Sequence, residues 1–196
     1  MKKFIVLLVC VVLLFVKYVV LDKSDIESSF GAEKACDAGE MLGCYNLGVM
    51  YMLGNEVEKD LGKAVQLFKK ACDGGNMHGC GFLGFMYTKG NGIEKDFSKA
   101  EQLFKKACDG GEMNGCGALA TMYANGNGVE KNVKKAMDLY KKACDGGNML
   151  GCGFLGFMYE KGDGVGQDIY MAKEYYGKAC DLGDQDGCDE YKRLNK

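Results

Sequence analysis

The chain has 196 residues, 27% of them charged, and a formal net charge of −2. Residues 1–21 hold Lys2, Lys3 and Lys17 and no acid, which leaves the body with 22 basic against 27 acidic side chains. A mildly acidic body lacks the basic face that nucleic-acid binding needs, and a single histidine, His78, is too few for a histidine-based metal site.

In chain order, the first feature is Met1-Lys2-Lys3 followed by an unbroken apolar run from Phe4 to Val16, then Lys17 and Tyr18-Val19-Val20-Leu21. This is the pattern of a secretory signal. No Ala-x-Ala cleavage site follows, and the stretch to Leu21 is about long enough to span a bilayer if Lys17 snorkels. Residues 1–21 are therefore read as a signal peptide or a signal anchor, with membrane association only if the segment is retained. Either way the body is exported to a secreted or periplasmic location. Cys10 lies inside the apolar run and reads as one of its hydrophobic residues. Residues 22–29 form a polar linker.

The remaining ten cysteines fall in five pairs: Cys36/Cys44, Cys72/Cys80, Cys108/Cys116, Cys144/Cys152 and Cys180/Cys188. Partners are eight positions apart and pairs recur every 36 residues. A fixed period of this length marks a solenoid of helix pairs. The expected organisation is a half repeat over 30–42, repeats over 43–78, 79–114, 115–150 and 151–186, and a polar C-terminal cap over 187–196. The fold class is all-α, an α/α solenoid superhelix of disulfide-stapled helix pairs.

Within the second unit, Gly79–Tyr87 reads as a first helix with Leu83, Met86 and Tyr87 on one face. Lys89-Gly90-Asn91-Gly92 breaks it. Asp96 reads as the N-cap of a second helix, whose stripe is Ala100, Leu103, Phe104 and Ala107. Lys99, Lys105 and Lys106 are assigned to its solvent side, and Asp109-Gly110-Gly111 ends the unit. Gly48, Gly84 and Gly156, with Ala120 in the third unit, sit inside first helices and read as close-packing positions.

Two cysteines eight residues apart on one helix would be separated by about 12 Å, whereas bonded Cα atoms lie within about 7 Å. A turn at Gly74-Gly75 would bring Cys72 and Cys80 together, joining one unit to the next. Zinc sites usually place two to four residues between paired cysteines, and redox pairs are close-spaced. Seven intervening residues, repeated in every pair, favour structural disulfides over both.

Leu83-Gly84-Phe85-Met86-Tyr87, Gly90 and Gly92, Lys99-Ala100, and the ending Lys106-Ala107-Cys108-Asp109-Gly110-Gly111 together resemble the Sel-one-like repeat. With a cysteine pair in every unit, the chain from about Ser28 to Lys196 is similar to the Helicobacter cysteine-rich protein family. The resemblance implies a secreted α/α solenoid related to tetratricopeptide repeats, with one disulfide per helix pair at the five pairs above. It also implies penicillin binding and slow β-lactam hydrolysis.

The residues themselves point to a binding module for an extracytoplasmic ligand such as a peptide, a protein or a cell-wall fragment. Solenoids present a continuous binding surface, and the candidate groove residues are Asn46, Phe82, Phe85, Thr121, Phe154 and Phe157. The competing reading is that the phenylalanines pack between units, as Met50, Met86, Met122 and Met158 are expected to do. For hydrolysis no catalytic residue is identifiable. Ser24, Ser28, Ser29 and Ser98 are followed at the third position by Glu27, Gly31, Ala32 and Glu101, so none has the lysine of a serine β-lactamase. His78 is placed in a surface loop. Asp73, Asp109 and Asp145, with Tyr87, Tyr123 and Tyr159, are assigned to capping and packing. No cofactor is expected.

Overall fold

A computed structural model describes residues 28–196. The signal or anchor reading of residues 1–21, and all but the end of the linker, lie outside the described residues. Among those described are ten α-helices and no strand: α1 (Ser29–Asp37), α2 (Met41–Leu53), α3 (Leu61–Asp73), α4 (Met77–Lys89), α5 (Phe97–Asp109), α6 (Met113–Asn125), α7 (Val133–Asp145), α8 (Met149–Lys161), α9 (Ile169–Asp181) and α10 (Gln185–Leu194). None is long and apolar enough to cross a membrane. Each helix packs mainly on its chain neighbours, the one-dimensional arrangement of a solenoid. The cores are correspondingly local and lie between successive helices.

The second helix of each unit forms as its sequence dictates. Asp96 is extended, and its carboxylate accepts from the Lys99 amide at 3.0 Å. Asp60, Asn132 and Asp168 cap α3, α7 and α9 in the same way. Ala100, Phe104, Ala107 and Cys108 bury one face of α5. Its last-turn lysine does more than face solvent. Lys106 Nζ donates to the carbonyl of Cys72 at 2.9 Å, in the preceding unit. Lys70 and Lys142 reach Cys36 and Cys108 likewise. Each lysine thus satisfies a carbonyl near the C-terminal end of the previous unit's second helix, where a cation is favoured.

The first helices begin two residues earlier than the stripe predicts. Asn76 caps α4 by accepting from the Gly79 amide at 2.9 Å. Asn148 and Asp184 cap α8 and α10 at the same place in the repeat. Gly84 is a close-approach position, since a Cβ there would lie 2.9 Å from the Phe104 ring. Gly48 and Gly156 face Phe68 and Tyr176 in the same way. Gly92, with φ of 69°, packs its loop onto the previous unit, where a Cβ would collide with the Leu61 carbonyl.

All five cysteine pairs, from Cys36–Cys44 to Cys180–Cys188, are joined as disulfides, with Cα atoms 4.5–4.7 Å apart. Each spans the turn between one unit's second helix and the next unit's first helix. By chain entropy each closes a nine-residue loop worth about 2.5 kcal/mol. The first four bonds are buried, with Cys44, Cys80, Cys116 and Cys152 fully covered.

The fifth keeps the spacing of the grid but differs in burial. Cys180 and Cys188 are only half-buried, and neither joins a hydrophobic core. The reason lies in what covers the others. Ala71, Ala107 and Ala143, each from the second helix that follows, close over the first three bonds. Ala179 does the same for Cys144 and Cys152. Among the described residues no second helix follows α10, so Cys188 has no such lid. Cys180–Cys188 ties α10 to α9 at the rim of the stack and not inside it.

Candidate functional site

The first helices share one face of the solenoid, and that face is hollowed into a trough. A concavity of about 450 Å³ between α4 and α6 is lined by Phe82, Phe85, Phe104 and Ala118. Phe85, Phe104 and Ala118 also line the neighbouring hollow that includes Lys89, Lys95 and Thr121. Thr121 continues into a smaller one with Tyr140 and Asn148. Leu150 and Phe154 connect that hollow to a concavity of about 580 Å³ at α8 and α10. Shared walls make these parts of one surface.

At the α4 end, Phe82 is half-buried. Its ring lies 5.3 Å from Phe68 and 5.5 Å from Tyr45, so much of its surface goes to packing. Phe85 is 42% exposed and opens onto the trough. Behind it, the Glu112 carboxylate serves two elements. One oxygen accepts from the Asn114 amide at 2.8 Å at the start of α6, and the other meets Nδ1 of His78. Glu112 is only 8% exposed. The His78 ring also lies 5.6 Å from Tyr45. Burial, and then the nearby charge of Glu112, push the Tyr45 hydroxyl above its ordinary range.

The middle holds a set of mutually bonded polar groups. Asn148 Nδ2 donates to Asn114 Oδ1 at 2.8 Å, while its own oxygen caps α8 through the Gly151 amide. The Thr121 and Tyr140 hydroxyls are 2.9 Å apart. Burial raises the Tyr140 pKa, partly offset by Thr121. The Tyr140 ring stacks on Phe154 with centroids 4.9 Å apart.

At the α8 end, Phe154 and Phe157 are 44% and 48% exposed. Beside them Glu160 is buried but fully engaged. It accepts from Lys161 at 2.8 Å, Arg193 at 2.7 Å and the Tyr176 hydroxyl at 3.2 Å. The Lys161 hydrogen bond, aided by the Arg193 charge and Tyr176, holds its carboxyl below the usual range despite burial. Arg193, which also pairs with Glu190 within α10, ties that helix to the trough wall through Glu160. The Cys180–Cys188 bond ties the same helix covalently.

Phe82, Phe85, Thr121, Phe154 and Phe157 thus line connected parts of one surface. Asn46 is half-buried on α2 and is not among the residues lining these four hollows. The disulfide cysteines, Cys188 included, do not line them either, so the staples frame the surface without forming it. His78 is not in a loop. It is the second residue of α4, because the Asn76 cap starts the helix earlier. The pairs His78–Glu112 and Asn114–Asn148 both join residues 34 apart. The recurrence of Asn76, Glu112, Asn148 and Asp184 at one repeat position was the sequence signal for this ladder.

A profile of the Sel1 repeat matches residues 42–76, 78–112, 115–148 and 150–184. The chain belongs to the Sel1 repeat family. Among solved structures it is similar to a protective antigen of uropathogenic Escherichia coli with an SLR fold, at 30% identity and a TM-score of 0.75 over 85% of this chain. The chain spans 36% of that protein's length. Cysteine-rich protein B of Helicobacter pylori is 38% identical over 69% of this chain and 98% of its own, with a TM-score of 0.54. A Sel1 repeat protein from Oxalobacter formigenes shares the fold, with a TM-score of 0.80 at 24% identity, covering 86% of this chain and 67% of its own. No curated protein matches the chain significantly. This Sel1-repeat protein is a disulfide-rich helical solenoid with the build of a protein-interaction module. Its five disulfides suit an oxidising, extracytoplasmic environment.

Proposed function

We propose that the chain is an exported interaction module that holds an extracytoplasmic polypeptide in its trough. The observation that carries this reading is the exposure of Phe85, Phe154 and Phe157 along one connected hollow. Aromatic side chains set in concave, partly polar surroundings supply binding energy, and a rigid frame lowers the ordering cost of capture. Between the aromatic side chains, Asn114, Thr121, Tyr140 and Asn148 are paired with one another, which fixes the floor of the hollow. The test is selection from a random peptide display library on the oxidised full-length chain. Enrichment that disappears on reduction is expected. Equal recovery by oxidised and reduced protein would contradict it.

Hydrolysis of β-lactams is the alternative that the family resemblance brings. One observation bears on it: Glu112 orients the His78 imidazole at the edge of the α4 hollow, as a carboxylate orients a general base. Turnover of a chromogenic β-lactam by the oxidised protein, abolished in His78→Ala and absent after reduction, is the outcome this alternative requires.

A further inference from the structure

The first helices are not equivalent. α4 reads MHGCGFLGFMYTK and α8 reads MLGCGFLGFMYEK, differing at two of thirteen positions. Between them α6 reads MNGCGALATMYAN, with Ala118 and Thr121 where α4 has Phe82 and Phe85 and α8 has Phe154 and Phe157. The trough therefore has two aromatic sockets, two units apart, and a floor of small and polar groups between them. In both sockets a lysine one turn on lies over the outer ring, Lys89 5.9 Å from Phe85 and Lys161 5.8 Å from Phe157.

Their electrostatics differ. Beyond Phe85 the wall carries Lys89 and Lys95, and among the described residues neither is in an ion pair. At the α8 socket the two cations, Lys161 and Arg193, are already committed to Glu160 and Glu190. Asp184 and Asp186 remain there as additional acids, so that end is negative.

We propose that the trough takes an extended polypeptide by two bulky apolar side chains set about six residues apart, with an acidic residue beside the anchor at Phe85 and a basic residue beside the anchor at Phe157. This rests on the peptide-binding reading above. The spacing follows from packing. Successive first helices meet side chain to side chain at their starts, through His78 with Glu112 and Asn114 with Asn148; at about 10 Å per step, α4 and α8, with α6 between them, are about 20 Å apart. An extended chain covers that distance in about six residues, at about 3.3 Å each. Lys89 and Lys95, which outnumber the single carboxylate Glu112 at the α4 end, and the acid-rich α8 end set the charge order.

The test is fluorescence anisotropy of the oxidised full-length protein with labelled Gly/Ser/Thr peptides carrying two phenylalanines at separations of one to ten residues. Affinity is expected to peak near six. Phe85→Ala or Phe157→Ala should each lower it about tenfold or more and remove the dependence on spacing. Both rings are half-exposed, so the variants are expected to melt like the parent. Peptides with opposite charges at the two anchors should bind tighter than peptides with like charges, in one orientation, and Lys89→Glu should erase that preference. Flat dependence on spacing, or equal binding by a peptide with one phenylalanine, overturns the two-anchor inference and leaves the trough reading intact. No saturable binding across the series, together with no enrichment in the display selection, overturns both.

Discussion

The joints between units and the trough they carry follow opposite rules. At the joints the same groups recur with nearly the same geometry: a disulfide, and in three units a lysine on the preceding carbonyl. Along the trough the side chains change from unit to unit, from Phe82 and Phe85 to Ala118 and Thr121 and then to Phe154 and Phe157. A solenoid has only neighbour contacts to hold its curvature, so the joints must repeat. The trough is free to vary, and what varies there is apolar bulk and charge.

Breaking a joint should have the largest effect. Replacing both partners of the central staple, Cys108→Ser with Cys116→Ser, should cost about 2.5 kcal/mol. Amide exchange should rise first in α5 and α6. Unchanged melting under oxidising conditions would remove the stapling argument. Next comes Gly92→Ala, which meets the Leu61 carbonyl and requires an unfavourable positive φ. A loss of about 1–3 kcal/mol in chemical denaturation is expected. Lys106→Met should cost only about 1 kcal/mol, because one hydrogen bond to a carbonyl is lost at the surface.

Acidification should separate the two ends. Glu160 has its carboxyl held below the usual range, so its contribution is present above that range. It is lost as pH falls through the depressed value. Glu160→Gln should therefore flatten the acid limb of the melting-temperature profile and free α10 for exchange before α2. An acid limb identical to the parent's would show that the Arg193–Glu160 tie contributes nothing. The smallest effect on stability, and the most informative for the trough, is expected of Ala118→Phe. It would give α6 part of a socket like those of α4 and α8. Melting should move little, while the preferred anchor separation in bound peptides shortens to about three residues.

Much of this was legible because it repeats. The period of 36, the stripe Ala100, Leu103, Phe104 and Ala107, and the Asp96 cap specify helix pairs through local preferences that tertiary contacts reinforce. The cross-unit roles of Lys106 and His78 were not legible. Each acts on a residue 34 positions away, and only the packing of one unit on the next brings them together. His78 in particular reads as a loop residue until Asn76 is recognised as a cap. The half-exposed setting of Cys188 was hidden by the regularity itself. Its spacing from Cys180 is that of every other pair, and burial depends on the helix packed above, which spacing does not encode. The Glu160 cluster was hidden for a further reason. Arg193 belongs to α10, outside the four matched repeats, so no periodic counterpart announces it.

The most direct test of the trough as the binding surface is hydrogen exchange on the oxidised full-length protein, with and without a peptide selected by display. Protection concentrated in α4, α6 and α8, with the outer faces of α5 and α7 unchanged, is the result predicted. Protection confined to the second helices, or spread evenly over the chain, would contradict it.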